Sequence, residues 1–296
     1  MIKTYDRING QEVYGRELND LSEAIGIMEA VRDRGLTDLT ESSLNHDGSA
    51  KPWSGTATIE EAIDIARHGW SDGNALIYEL LEKTNIDTLV GSFARPEYHS
   101  AVAGDEVDVD RYLSGEHENM MQPDIRHDQN GKVVDLFVNC SVASNVSPRK
   151  IMRRGAGILL AKEILTSNGY SMGVTMVECS TSSVESDTVV EYRVPLVAAG
   201  DYLDLDTAVF CMAHPSFLRR LMFALNDNEP NDLRREMGYW KRGEYGIPRK
   251  IMLPLPKTSI VIDRNEGLAI NGVEEIAAYA GKIVKRAHMK LEDDIE

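Results

Sequence analysis

The stretch that most constrains the fold runs from Val133 to Ser171, VVDLFVNCSVASNVSPRKIMRRGAGILLAKEILTSNGYS. It opens with an apolar run of strand length, continues through a polar Ser/Asn loop, and enters a long helix at Ser147-Pro148, where serine is a good N-cap and proline suits the first turn. Ser171–Cys179 reads as the next strand. Two strands joined by a helix of this length predict a right-handed crossover and a parallel pair. We therefore expect an α/β protein with a mostly parallel central sheet flanked by helices.

The region before this stretch predicts a different organisation. Residues 13–34 carry apolar side chains at close to helical spacing and are followed by Gly35, a plausible stop. Thr58 and Glu61 have the spacing of a capping box, and a further helix is expected from Asp72. We expect a mainly helical N-terminal region over residues 1–125 and the α/β domain over residues 126–296. A dense set of acids in residues 105–118 is interpreted as a solvated loop and helix edge, and the alternative is a site for a cation or a basic partner.

Composition excludes several classes of protein. Of 296 residues, 42% are hydrophobic, which is enough for a core, and the net charge is -16. An acidic surface repels nucleic-acid phosphates and anionic lipid, so we expect no nonspecific nucleic-acid binding and no membrane partner. The three cysteines form no CxxC pair, so neither a disulfide framework nor a zinc site is expected. The polar N-terminus has no apolar signal core, and the predicted location is cytoplasmic.

The Ser/Asn loop is the first candidate site. Asn139, Ser141 and Ser144 follow the end of the first strand, and in open α/β sheets ligands bind beyond the carboxyl ends of the strands. The competing interpretation is that these side chains satisfy backbone groups in a tight turn.

The order of strand, NCSVAS loop, helix, strand, late strand and closing helix resembles the von Willebrand factor A-like fold, over roughly residues 132–288. In that family a loop of the form Asp-x-Ser-x-Ser supplies a carboxylate and two hydroxyls to a divalent metal. The resemblance implies a degenerate site in which Asn139 stands at the aspartate position, Ser141 at the first serine, and Ser144 one residue beyond the second. Thr188 or a residue of the loop 180–186 takes the place of the later threonine, and Asp201 or Asp204 that of the last aspartate. Mg²⁺ or Mn²⁺ would be the ion, although no cofactor is expected, because the charged carboxylate is missing.

A second resemblance rests on the segment WSGTATIEEAIDIARHGW, residues 53–70, followed by the degenerate A-like domain. This pattern is similar to uncharacterised proteins encoded by tailed bacteriophages. It implies a viral protein that acts in the host bacterial cytoplasm or is associated with the virion.

A cluster of basic residues begins the long helix. Arg149, Lys150, Arg153 and Arg154 fall in its first two turns, where the helix dipole favours negative charge. We interpret them as a contact for an anion or an acidic partner. The alternative is pairing with the chain's own acids, which number 48 against 32 bases.

These features favour a non-enzymatic protein-interaction or assembly protein that uses the loop face at the carboxyl ends of the strands. One alternative is a metal-dependent or nucleotide-binding enzyme that uses the same loop. Another is an acidic inhibitor that mimics nucleic acid and blocks a host protein. Hydrolase chemistry at Cys140 or Ser141 is disfavoured, because no G-x-S-x-G elbow is present and His214 directly precedes Pro215. We assign no catalytic residue.

Overall fold

A computed structural model describes residues 1–35, 51–82, 98–102, 106–123, 132–181, 187–201, 203–236 and 246–293. Its first elements are the strands β1 (Ile2–Ile8) and β2 (Gln11–Glu17) and the helices α1 (Leu21–Arg34), α2 (Lys51–Ser54), α3 (Ile59–His68) and α4 (Ser71–Glu82). A small unit follows, made of β3 (Tyr98–Ala101), β4 (Glu106–Val107), α5 (Val109–Leu113) and β5 (Met120–Pro123).

The prediction of a mainly helical N-terminal region is wrong. β1 and β2 form an antiparallel hairpin, and β2 lies parallel to a strand from the second half of the chain, so both belong to the main sheet. The hairpin turn is Asn9-Gly10, and both residues have positive φ angles of 53° and 84°. An Asn-Gly pair is a strong hairpin signal because both turn positions require the left-handed region. The predicted helix begins only at Leu21, where Asp20 caps α1.

The second half begins with β6 (Lys132–Asn139), α6 (Pro148–Ser167), β7 (Tyr170–Thr181) and β8 (Thr188–Val197). Next come α7 (Leu205–Ala213), a π-helix (Phe217–Met222), α8 (Phe223–Asp227) and α9 (Asn231–Glu236). The last elements are β9 (Ile247–Pro248), β10 (Ser259–Ile262) and α10 (Val273–Asp293).

The main sheet has the order β1-β2-β8-β7-β6-β10. β6 is parallel to β7 and to β10, and β2 is parallel to β8. The pairs β1/β2, β7/β8 and β7/β9 are antiparallel, so the sheet is mixed. The expected α/β class is therefore confirmed, and so is the parallel β6–α6–β7 unit, in which Asn139 lies opposite Val177.

α6 packs closely on its neighbours through two glycines. A Cβ atom at Gly155 would lie 2.5 Å from the Met212 carbonyl oxygen of α7, and one at Gly157 would lie 2.6 Å from the Tyr279 ring of α10. The glycines therefore let both helices approach α6, which shares the main core with β6 and β7. No helix in the described ranges is long and apolar enough to cross a membrane.

Candidate functional site

The carboxyl end of β6 is the natural ligand position of this sheet. The chain leaves β6 toward β7 on one side, and β10 returns parallel to β6 on the other. Where neighbouring connections diverge in this way, a crevice opens beyond the strand ends. Residues 140–147 form the loop at this point and lead into α6.

Asn139 and Ser141 are buried and bonded within the protein. The Asn139 amide donates to the Arg249 carbonyl at 2.8 Å, and its Oδ1 accepts from the Ser141 amide at 3.0 Å. The Ser141 hydroxyl accepts from the Cys179 amide at 2.7 Å. These bonds tie the end of β6 to β7 and to the segment after β9. Both side chains therefore satisfy backbone groups, as the turn interpretation expects.

The other predicted metal ligands have separate partners. Ser144 is exposed, and its carbonyl accepts from the indole of Trp53 at 2.9 Å. Asp204 caps α7 by accepting from the amide and the hydroxyl of Thr207, both at 2.9 Å. In the chain as far as it is described, no three His, Cys, Asp or Glu residues group as a metal site. Of the residues that could replace the family's later threonine, Thr188 begins β8, and residues 182–186 lie outside the described ranges. Metal binding at this loop stays a prediction.

The guanidinium of Arg154 lies at the carboxyl ends of β6 and β10. It donates to the carbonyls of Glu266 at 2.7 Å, Asn139 at 2.8 Å and Asp263 at 3.0 Å. These carbonyls come from the end of β6 and from the segment that follows β10, so one side chain joins both strand ends. Arg154 is only 3% exposed. It therefore helps to hold the two strand ends together, and its burial leaves little of its surface for an outside partner.

The other three residues of the basic cluster differ in their exposure to solvent. Arg153 is half-buried and lies 3.4 Å from the Ile270 carbonyl, to which it donates. Arg149 and Lys150 are exposed, and neither forms an ion pair with the described part of the chain. Of this cluster, only these two side chains are exposed and unpaired with the described residues.

A strap formed by residues 53–57 covers the loop. Besides the Trp53 bond to Ser144, the strap is held from the π-helix, whose Arg219 stacks over Trp53 at 4.5 Å and donates to the Trp53 carbonyl. Arg219 also donates to the Val146 carbonyl at 2.5 Å. The neighbouring Arg220 donates to the carbonyls of Thr56 and Ala57 at 3.2 Å. The sequence gives one sign of this arrangement, because two adjacent arginines interrupt the apolar run FLRRLMF.

A buried carboxylic acid lies just beyond the end of β6. Glu178 of β7 is 1% exposed, and burial raises the pKa of its carboxyl to about 8. Hydrogen bonds from Ser180 and Asn226 partly oppose this rise in pKa, and the charge of Glu191 adds to it. Glu178 is therefore largely protonated at neutral pH. Sequence reasoning missed it, although an acid inside the apolar strand TMVEC was the available signal.

The side chains considered as a hydrolase nucleophile and base also form hydrogen bonds within the protein. Cys140 donates its thiol proton to the Val177 carbonyl at 3.2 Å, and burial raises its pKa far above the usual range. The Nδ1 atom of His214 accepts from the Ser216 amide at 3.1 Å, and burial lowers the His214 pKa to about 4. A neutral imidazole that already accepts a backbone hydrogen bond is a structural group at the end of α7.

A family model described as a domain of unknown function (DUF7192) matches residues 4–287. Neither the curated proteins nor the solved structures gave a match.

Proposed function

The chain belongs to the DUF7192 family, to which no function is assigned, and we propose that it is a non-enzymatic interaction or assembly protein. It binds an acidic partner through a surface that we call the basic edge, residues 143–150. The observation that carries this proposal is the exposed pair Arg149 and Lys150, which lack an ion-pair partner among the described residues of a chain with net charge -16.

The physical argument concerns the placement of these charges. Arg149 and Lys150 lie in the first turn of α6, next to the positive end of the helix dipole. Two cations there repel the dipole by a few tenths of a kcal/mol each, unless an anion lies close. The chain has 48 acidic residues that could pair with these cations, but none of those in the described ranges does so. An acidic group on a partner would remove this repulsion.

Hydrogen bonds from other parts of the protein hold the basic edge in place. Trp53 of the strap donates to the Ser144 carbonyl, and Arg219 donates to the Val146 carbonyl. Interactions made by a surface on rigid elements cost less conformational entropy on binding. The buried bonds of Asn139 and Ser141 favour this use of the loop over the alternative of a metal-dependent enzyme, since a ligand would have to break them.

Two finer proposals accompany this one. The parallel placement of β10 beside β6 and the crossover through α6 support a von Willebrand A-like arrangement of residues 132–288. The resemblance of residues 53–70 to tailed-phage proteins supports action in an infected bacterium or in a virion.

The test is a pull-down of the tagged chain from infected bacterial cells. We expect the wild type to recover a stable complex with an acidic partner or with untagged copies of itself. The double variant Arg149→Glu/Lys150→Glu should lose that complex, and raised salt should weaken it steeply. The matched control is Lys282→Glu/Lys285→Glu, which reverses two exposed charges on α10. No complex with the wild type, or equal loss with the control, would overturn the proposal.

A further inference from the structure

The small unit around β3, β4 and β5 presents apolar side chains to solvent. Val109, Tyr112 and Leu113 of α5 are 61%, 63% and 76% exposed, and Val107 beside them is 46% exposed. Positions 109, 112 and 113 have the i, i+3, i+4 spacing that puts side chains on one helix face. We call residues 106–119 the acidic module. Single apolar side chains are ordinary on a surface, but a contiguous apolar group beside polar residues is typical of an interaction site.

The same module carries excess negative charge. Its one arginine, Arg111, lies 3.8 Å from Asp108 and 3.4 Å from Glu116. Asp110 and Glu118 are exposed and pair with no base in the described ranges. The apolar face therefore has two unneutralised carboxylates beside it.

The described chain offers a surface of complementary charge. On the basic edge, Arg149 and Lys150 are exposed and unpaired with the described residues, and the half-buried apolar side chains of Val146 and Met152 lie nearby in sequence. Two unpaired carboxylates on one surface thus correspond to two unpaired cations on another. Complementary charges of this kind orient an encounter, while burial of apolar area supplies most of the attraction.

We propose that the acidic module of one copy docks on the basic edge of a second copy. This inference rests on the assembly role proposed above and identifies the acidic partner as the chain itself. Because the two surfaces differ, the contact is heterologous: each copy can give its module to one neighbour and its edge to another. Such contacts build rings when the rotation between copies closes, and open filaments when it does not.

Light scattering and sedimentation velocity on the full chain test this contact. The wild-type mass should rise with protein concentration and fall back toward the monomer in about 0.5 M salt, where surface charges are screened. Asp110→Lys/Glu118→Lys and Arg149→Glu/Lys150→Glu should each remain monomeric. Tyr112→Ser/Leu113→Ser should also lose association without any change of charge, while the control Lys282→Glu/Lys285→Glu should associate like the wild type.

The decisive sample is an equimolar mixture of the two charge-reversed variants. In this mixture, the unchanged acidic module of Arg149→Glu/Lys150→Glu can bind the unchanged basic edge of Asp110→Lys/Glu118→Lys. The two charge-reversed surfaces also have opposite signs and can bind each other. We expect the mixture to regain mass that neither variant shows alone. A mixture that stays monomeric, or a wild type that is monomeric at every concentration, would overturn the inference.

This failure is distinguishable from failure of the proposed function. If the chain is monomeric alone yet recovers a different acidic protein from infected cells through Arg149 and Lys150, the second copy is ruled out as the partner and the proposed function stands. If it neither self-associates nor recovers a partner, both proposals fall.

Discussion

At the residue scale, burial strongly changes the ionisation of Glu178. Its carboxyl has an ordinary pKa of 4.5 and a folded pKa of about 8, because burial removes water from the charged form. One of its oxygens, Oε2, has no hydrogen-bond partner among the described residues. A protonated carboxyl tolerates this position far better than a carboxylate.

Glu178 should therefore make stability depend on pH. Between pH 4.5 and about 8 the folded chain holds a proton on Glu178 that the unfolded chain has released, so this group lowers the free energy of unfolding as pH rises through that window. Glutamine has the shape of the protonated acid and does not titrate. We expect the free energy of unfolding of Glu178→Gln, measured with urea, to rise relative to that of the wild type by roughly 2 kcal/mol from pH 6 to pH 8.

The control for this prediction is Glu163→Gln, an exposed acid on α6. Its difference from the wild type should stay flat over the same pH range. Groups common to all three proteins, such as His214 with its lowered pKa, cancel in the comparison. Parallel pH profiles for Glu178→Gln and the wild type would contradict the raised pKa.

At the element scale, the glycines of α6 show how one helix is fitted between two others. Gly155 lies against the backbone of α7, whereas Gly26 inside α1 has nothing within 4 Å of an added Cβ. Both glycines are inside helices, so alanine should gain about 1 kcal/mol of helix propensity at either position.

We therefore expect opposite signs for the same substitution. Gly26→Ala should raise the free energy of unfolding by about 1 kcal/mol. Gly155→Ala should lower it by about 1–3 kcal/mol, because the added Cβ would lie 2.5 Å from a backbone oxygen that cannot move away cheaply. Chemical unfolding at one pH measures both. An increase in stability for Gly155→Ala would show that α6 and α7 are not fixed at this distance.

The elements also show how far the sequence predicts this protein. Strong local signals identified β6, α6, β7 and the cap of α3, where the Thr58 hydroxyl accepts from the Glu61 amide as expected. β1 was missed because both of its faces are exposed and its sequence has no buried alternation. The difference in burial within the basic cluster was not predictable either, since two of the carbonyls that bind Arg154, those of Asp263 and Glu266, are distant in sequence.

At the scale of the whole molecule, net charge and internal ion pairs respond differently to salt. The chain has 16 more acids than bases, so its surface repels itself. Buried ion pairs such as Arg16 with Glu229 at 2.6 Å and Arg234 with Asp227 at 3.0 Å are shielded from mobile ions. The repulsion is therefore screened by salt much more than the attraction.

Salt should thus stabilise the folded monomer while it weakens self-association. At concentrations low enough to keep the chain monomeric, we expect the thermal midpoint at pH 7 to rise by a few degrees, roughly 2–5 °C, between 10 mM and 300 mM NaCl. Lys282→Glu/Lys285→Glu has a net charge four units more negative than that of the wild type, and its midpoint should rise more over the same range of salt. A midpoint that falls with salt in both proteins would mean that surface ion pairs outweigh the net repulsion.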